Sequence, residues 1–329
     1  MNKFARISIL LLFAAFVCTS CEKDEKFVSS LIEGLTLDNY PIVDGSTSTM
    51  PLNITIVCEL LGIEYGSYRN VDDDTWGIKP DLNKRTLQKF DEKIKSSQTH
   101  QSFINLIDRK ADVILTARKM SPDEKAYADA AGVSLIEFPI ALDAFVFLVN
   151  PYNPVKSLTI EQIQGIYTGK ITHWKEVGGE MEEMMATAMR YGKINPYVRN
   201  ANSGSQELMD ELVMNGLDMM ELPTASELLI HTMAGVRNIV TDDVNAICYS
   251  VYYYMEYMTK MLSRLCIAVE GVAPNSMTLG NRTYPYVTEV YAVIRSDLSE
   301  SSMAYKVYEF LQTTKGRAVI RKSGYLPHY

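Results

Sequence analysis

From Tyr40 to the C-terminus the chain keeps switching between two hydrophobic rhythms. Short apolar runs such as Asp112–Thr116 (DVILT) have the length and composition of buried strands. Between them, apolar residues recur three and four apart: Met50, Ile54, Val57 and Leu61 form one stripe of a helix. Strands interleaved with helices commit a chain to α/β layers, because each face must bury itself against the other kind of element. No internal repeat shortens the pattern, and 329 residues can fill two lobes, each with its own core.

The same rhythm predicts the main elements. Pro41-Ile42-Val43 reads as a strand, the turn Asp44–Thr49 follows, and a helix runs to Gly62, with Pro51 in its first turn. Tyr65–Asn83 reads as a loop, and Asp72-Asp73-Asp74 within it as a solvated turn without the alternating ligands of a calcium loop. Helices are expected at Gln101–Arg109, after the capping box Ser121-Pro122-Asp123-Glu124, and after Thr159-Ile160-Glu161-Gln162. Met181–Met189 reads as a further helix. Strands are expected at Ser134–Pro139, Ala144–Asn150, Asn195–Arg199, Ala246–Ser250, Arg264–Val269 and Val287–Ile294, and a last helix on Met303, Val307 and Leu311. The stiff Asn150–Pro154 connector marks a crossing between lobes. Tyr249–Tyr257, with five tyrosines, reads as packing surface near a hinge.

The N-terminus reads as an export signal. Lys3 and Arg6 precede the apolar run Ile7–Val17, which falls short of the about 20 residues a membrane-spanning helix requires. Small and polar residues follow, up to Cys21. The ending Thr19-Ser20-Cys21 resembles a bacterial lipobox, which implies lipidation of Cys21, and the charged residues after it suit a solvated tether. The expected division is 1–20 signal peptide, 21–38 tether, 39–147 with 240–329 as the first lobe, and 148–239 as the second.

Charge and cysteines narrow the function. The formal net charge of −8, falling to −10 once Lys3 and Arg6 are removed, argues against a nucleic-acid partner. Cys58, Cys248 and Cys266 are odd in number, and the four histidines are scattered, so neither a disulfide framework nor a metal site is indicated and no cofactor is expected.

Two turns carry chemistry. Gly45-Ser46-Thr47-Ser48 precedes one helix, and Arg199 with Asn202-Ser203-Gly204-Ser205 precedes another. Helix starts present free N–H groups and the positive end of the helix dipole, and a guanidinium can grip a tetrahedral oxyanion through parallel hydrogen bonds. Many donors must converge, since one charge-assisted hydrogen bond returns roughly 1.5–3 kcal/mol against a desolvation cost many times larger.

Several motifs occur in an order that resembles the phosphate-binding proteins of ABC importers, the PstS type. These are DGSTSTMPL at Asp44–Leu52, KADVILTARKMSPDEK at Lys110–Lys125, LTIEQIQGIYTGKITHWKEVGG at Leu158–Gly179, RNANSGSQEL at Arg199–Leu208, and the terminal GYLPHY. The resemblance implies a two-lobed periplasmic-binding-protein-like fold of type II, each lobe a mixed sheet flanked by helices, with the ligand cleft between them. It implies donation by Ser46, Thr47, Ser48 and Thr99 from the first lobe and by Arg199, Ser203, Gly204 and Ser205 from the second. His173 and Trp174 would be packing residues. The implied partners are inorganic phosphate or a related oxyanion and ABC importer membrane subunits, the protein being monomeric and held to a membrane by its N-terminal lipid. Some members place an Asp where this chain has Thr116-Ala117-Arg118, so Asp44 is the alternative proton acceptor, and Arg118 either faces the cleft or pairs with an acid. A sensor or adhesion lipoprotein of the same fold is a second reading. A serine hydrolase or phosphatase using Ser203 or Ser205 is a third, against which the chain offers no GxSxG elbow.

Overall fold

The computed structural model describes residues 31–178, 192–221 and 228–328. The signal segment, Cys21 and Met181–Met189 lie outside the described residues.

The chain enters through Leu35 and Leu37, both buried in the first core, so residues assigned to the tether already pack against the globule. The first strand, β1 (Val43–Gly45), lies beside β4 (Val113–Thr116) in parallel register. Between them come a 3-10 turn at Thr47–Thr49, α1 (Met50–Leu61), β2 (Tyr65–Asn70), β3 (Thr75–Pro80), α2 (Lys84–Lys93) and α3 (Thr99–Ile107). The helical stripe understated α1: Leu52, Ile56 and Leu60 are buried as well, because the helix is enclosed between β3 and the C-terminal helix. It ends at Gly62 in the left-handed region (φ 67°), a conformation that favours glycine.

The segment read as a loop at Tyr65–Asn83 is a β-hairpin followed by the start of α2. Tyr65 pairs with Pro80 and Asn70 with Thr75, and the three aspartates lie in the connecting turn. Its strands carry little buried apolar surface, so the alternation that announces most strands is missing.

After α4 (Pro122–Ala130), opened by the expected capping box, comes β5 (Leu135–Val149). The two strands expected there are one strand of 15 residues. Its first part pairs with the later strand at Val287–Arg295 and its last part, Phe145–Val149, with the strand at Ala246–Val251. Pro139 lacks an N–H, and the register with Val287–Arg295 shifts beside its partner, between Val290 and Tyr291.

The next stretch holds β6 (Ser157–Leu158), α5 (Ile160–Tyr167), β7 (Asn195–Pro196), β8 (Val198–Arg199) and α6 (Gly204–Leu208), which continues as a π-helix through Met214. Then come β9 (Leu229–Ile230), α7 (Met233–Asp242) and β10 (Ala246–Val251). The return comprises α8 (Leu262–Leu265), β11 (Ala268–Val269), α9 (Ser276–Gly280), β12 (Val287–Arg295), α10 (Met303–Leu311), α11 (Thr314–Lys322) and β13 (Leu326–Pro327). Strand order is β1-β4-β12-β5-β10-β7, with β13 added to β5, a mixed sheet with helices on its faces.

Two large hydrophobic clusters flank the middle of β5. One gathers Leu52, Phe90, Val113, Val290 and Leu311; the other gathers Phe145, Phe147, Tyr167, Trp174, Ile247 and Tyr249. A fully buried side chain of this kind contributes about 1.5–3 kcal/mol through apolar burial. The sequence reading assigns residues 240–329 to the first lobe, but Ala246–Val251 and the buried residues from Leu262 to Tyr286 belong to the second cluster. The reason lies in pairing: β10 joins β5 and β7, and β11 joins β6. Trp174 is buried as expected, donating to the Asn245 carbonyl at 3.3 Å, whereas His173 is half exposed and takes part in a capping box with Glu176. Cys58, Cys248 and Cys266 are free thiols, the first two fully buried.

Candidate functional site

A cavity of about 330 Å³ lies where the two halves face each other, and all eight residues singled out from the sequence line it: Ser46, Thr47, Ser48, Thr99, Arg199, Ser203, Gly204 and Ser205. The first wall is built by close backbone packing. Gly45 lies so near the Leu115 carbonyl that a Cβ there would collide with it. This draws the Ser46 turn against β4, where Ser46 N donates to the Leu115 carbonyl at 3.0 Å. The Ser46 hydroxyl makes no cap. It accepts from Ala117 N at 3.0 Å and bonds the Thr99 hydroxyl at 2.8 Å. Ordinary helix capping therefore does not account for this serine.

The second wall is built around Arg199, which is buried. Its backbone N–H donates to Tyr249 Oη at 2.9 Å and to Gln206 Oε1 at 3.1 Å. Its Nε donates to the Ile230 carbonyl at 3.0 Å. The two terminal nitrogens have no hydrogen-bond acceptor among the described residues, so the guanidinium keeps its paired donors for whatever enters the cavity. Burial pulls this guanidinium below the usual arginine value. Ser203 Oγ accepts from Gln206 N at 3.1 Å as an ordinary N-cap.

Four helix starts converge here. Thr47 and Ser48 open the turn into α1, Thr99 opens α3, Gly204 and Ser205 open α6, and Thr232, Met233 and Ala234 open α7. Each leaves its first N–H groups without intrahelical acceptors and adds the positive end of its dipole. The two walls touch: a Cβ placed on Gly204 would lie 2.5 Å from Thr99 Oγ1. Only the absence of a side chain lets α6 approach α3 this closely.

Two residues considered from the sequence lie elsewhere. Asp44 is buried but does not line the cavity: Oδ1 accepts from Gly45 N and Ser97 N, both at 2.8 Å, and Oδ2 from Asn105 Nδ2 at 2.7 Å. Its acceptor capacity is committed to holding the turn, which argues against its use as the proton acceptor. Arg118 pairs with an acid, though in the interior rather than on the surface. Its guanidinium makes two bonds of 2.8 Å to Glu124, the residue that completes the capping box of α4. His100 bonds the same carboxylate at 3.0 Å.

Sequence reasoning missed the start of α7, Tyr254 within the tyrosine run, and Asp73 with Thr75 from the hairpin turn. The α7 start carried a signal, since Thr232 caps Gly235 N at 3.1 Å in the usual Thr-x-x pattern. Asp73 carried none, because its placement depends on the hairpin folding over the cleft. Among the described residues no group of three or more His, Cys, Asp or Glu is arranged to hold a metal ion. Also among them, no helix is long and apolar enough to cross a membrane.

Comparison with known proteins agrees with this architecture. The phosphate-binding protein PstS of Staphylococcus epidermidis is 26% identical over 243 residues, spanning 72% of this chain and 70% of its own length. PstS of Bacillus subtilis is 23% identical over 210 residues, spanning 62% of this chain and 61% of its own. Among solved structures, a phosphate ABC transporter substrate-binding protein from Clostridium perfringens, with bound phosphate, matches at a TM-score of 0.61 and 22% identity, over 87% of this chain and 98% of that one. An ABC-type phosphate transport receptor from Vibrio cholerae matches at a TM-score of 0.57 and 22% identity, with the same coverage. At this identity the structural likeness speaks for the fold. Residues 83–314 match the family model of the PBP superfamily domain, and the chain belongs to that superfamily.

Proposed function

We propose that this protein is an extracytoplasmic solute-binding protein that captures a tetrahedral oxyanion, phosphate above all, for ABC-type import. The observation that carries the reading is the convergence of four helix starts on one cavity with a buried arginine whose terminal nitrogens lack an acceptor among the described residues. A desolvated dianion requires many fixed donors, and this arrangement supplies them without a metal. Relatives named as phosphate-binding proteins support the choice of phosphate. Ser46, Thr47, Ser48 and Thr99 donate from one wall and Arg199, Ser203, Gly204 and Ser205 from the other.

The protein works as a binding module and not as an enzyme. Ser203 Oγ accepts the cap bond of its own helix, no histidine among the described residues lines the cavity, and His100 is paired with Glu124, so neither candidate serine has an imidazole base beside it among the described residues. The halves close on the ligand, and docking on membrane subunits of an importer releases it. A lipid on Cys21, left at the N-terminus after signal cleavage, tethers the monomer to its membrane.

Isothermal titration of the mature chain against phosphate, arsenate, sulfate and molybdate tests the reading. Saturable one-to-one binding of phosphate is expected. Heats indistinguishable from dilution for all four anions would sink it.

A further inference from the structure

The hairpin of β2 and β3 reaches from one half of the molecule to the other. Its base is rooted in the first half: Tyr65 and Ile78 pack against the first cluster, and Tyr65 Oη donates to Glu59 Oε1 on α1 at 2.7 Å. Its turn reaches the cavity, which Asp73 and Thr75 help to line. Asp73 Oδ1 accepts from Thr75 Oγ1 at 2.6 Å and from Thr75 N at 3.2 Å, which closes the turn on itself.

The next residue fastens this turn to the second half. Arg237 Nη1 donates to Asp74 Oδ2 at 2.8 Å and to the Asp74 carbonyl at 3.0 Å. Arg237 lies on α7, whose Val236 and Val240 are buried in the second cluster and whose first residues line the cavity. Asp74 is held ready for it. Its Oδ1 accepts from Arg69 Nε of β2 at 2.6 Å, and the residue sits at φ 54°, a left-handed conformation that a short polar side chain tolerates. A second contact spans the same gap: Lys260 Nζ lies 3.6 Å from the centre of the Trp76 ring on β3. Lys260 follows the cavity residues Tyr254 and Met258 and stands between Met255 and Leu262 of the second cluster.

These contacts have the chemistry of a fastening. They are an ion pair and a cation over a ring, and the Asp74 and Arg237 side chains are 44% and 17% exposed. Contacts of this kind part and re-form readily in water.

We propose that the hairpin is a strap: rooted on α1, it clasps α7 through Asp74 and Arg237 and sets how fast an oxyanion leaves the closed cavity. Arg237 is not among the residues that line the cavity, so it acts as a positioning residue. This rests on the oxyanion reading above and adds the step that governs release.

Release of radiolabelled inorganic phosphate from the mature chain, chased with unlabelled phosphate, tests the strap, with the association rate measured alongside. Arg237→Ala should release phosphate about fivefold faster, the upper end of what one exposed ion pair supports, and associate at an unchanged rate. Asp74→Asn separates a clasp from a general field. Loss of a negative charge near an anion site should slow release if the charge acts through space, whereas loss of the clasp should quicken it about threefold. The two substitutions together should release no faster than Arg237→Ala alone, because both remove one contact. Release from Asp74→Asn at or below the unaltered rate overturns the strap and leaves the oxyanion reading standing. So does a matching fall in association in Arg237→Ala, the mark of a distorted wall. If the unaltered chain captures no phosphate, both fall.

Discussion

The two walls of the cavity hold their serines by different means. Ser46 is fixed by partners far away in sequence, Thr99 at 2.8 Å and Ala117 N at 3.0 Å, so its position depends on three segments packing together. Ser203 is fixed by its own helix, through the 3.1 Å bond from Gln206 N. The first wall is thus set by tertiary packing around β4, the second by local capping plus an arginine anchored on Ile230 and Tyr249. The difference implies that damage to the first wall spreads between segments, while damage to the second stays local but strikes the charge.

The largest effect expected is from Arg199→Ala. It removes the only cation lining the cavity among the described residues and should weaken oxyanion affinity about a hundredfold, with the fold intact by circular dichroism. Calorimetry showing unchanged affinity would remove the second wall from the site. Next comes Gly204→Ala, whose new Cβ would sit 2.5 Å from Thr99 Oγ1 and hold the walls apart. Affinity should fall about tenfold, the size of a modest overpacking penalty. Adding Thr99→Ala should recover part of the loss, because the two sites are in contact. Strictly additive losses would mean that this contact is not what brings the walls together.

Ser203→Ala and Ser46→Ala separate the two modes of support directly. Loss of the cap at Ser203 should lower stability by about 1 kcal/mol in denaturant titration. Ser46→Ala leaves Ala117 N without its partner and should cost about 1–3 kcal/mol, the greater loss of the two. The reverse order would contradict the contrast drawn above.

The last effect is read in pH rather than in affinity and concerns Asp143, which lies on β5 where the strand leaves the first cluster for the second. Burial raises its carboxyl to about 7, partly opposed by the N–H groups of Tyr253 and Ala144. A raised acid holds its proton more tightly in the folded state, so stability is lost as pH climbs from about 4 through about 7. Asp143→Asn should lack that decline, visible as a smaller difference between denaturation midpoints at about pH 5 and about pH 8. Equal pH slopes for the two proteins would show that Asp143 does not titrate as its burial implies.

Much of this was legible in the residues, for reasons that also explain the gaps. The turns at Ser46 and Ser203 could be found because hydroxyls and glycines before a helical stripe are a local signal. The unity of β5 was hidden by Pro139 and Asp143, which interrupt the apolar run, although a shift of register accommodates the one and the N–H groups of Ala144 and Tyr253 meet the other. The hairpin was hidden because its strands expose most of their side chains. The membership of β10 was hidden because strand pairing, which no short window contains, decides which core a segment joins.

The long strand β5 has a further consequence. Its first part completes the ladder of one half and its last five residues complete that of the other. Neither half can be excised as a self-sufficient fragment, for a cut on either side of Ala144 would take from one half a strand with which its neighbours pair and leave a raw edge. The proposed closure on a ligand would then twist a continuous backbone spine rather than swing two bodies on a limp tether.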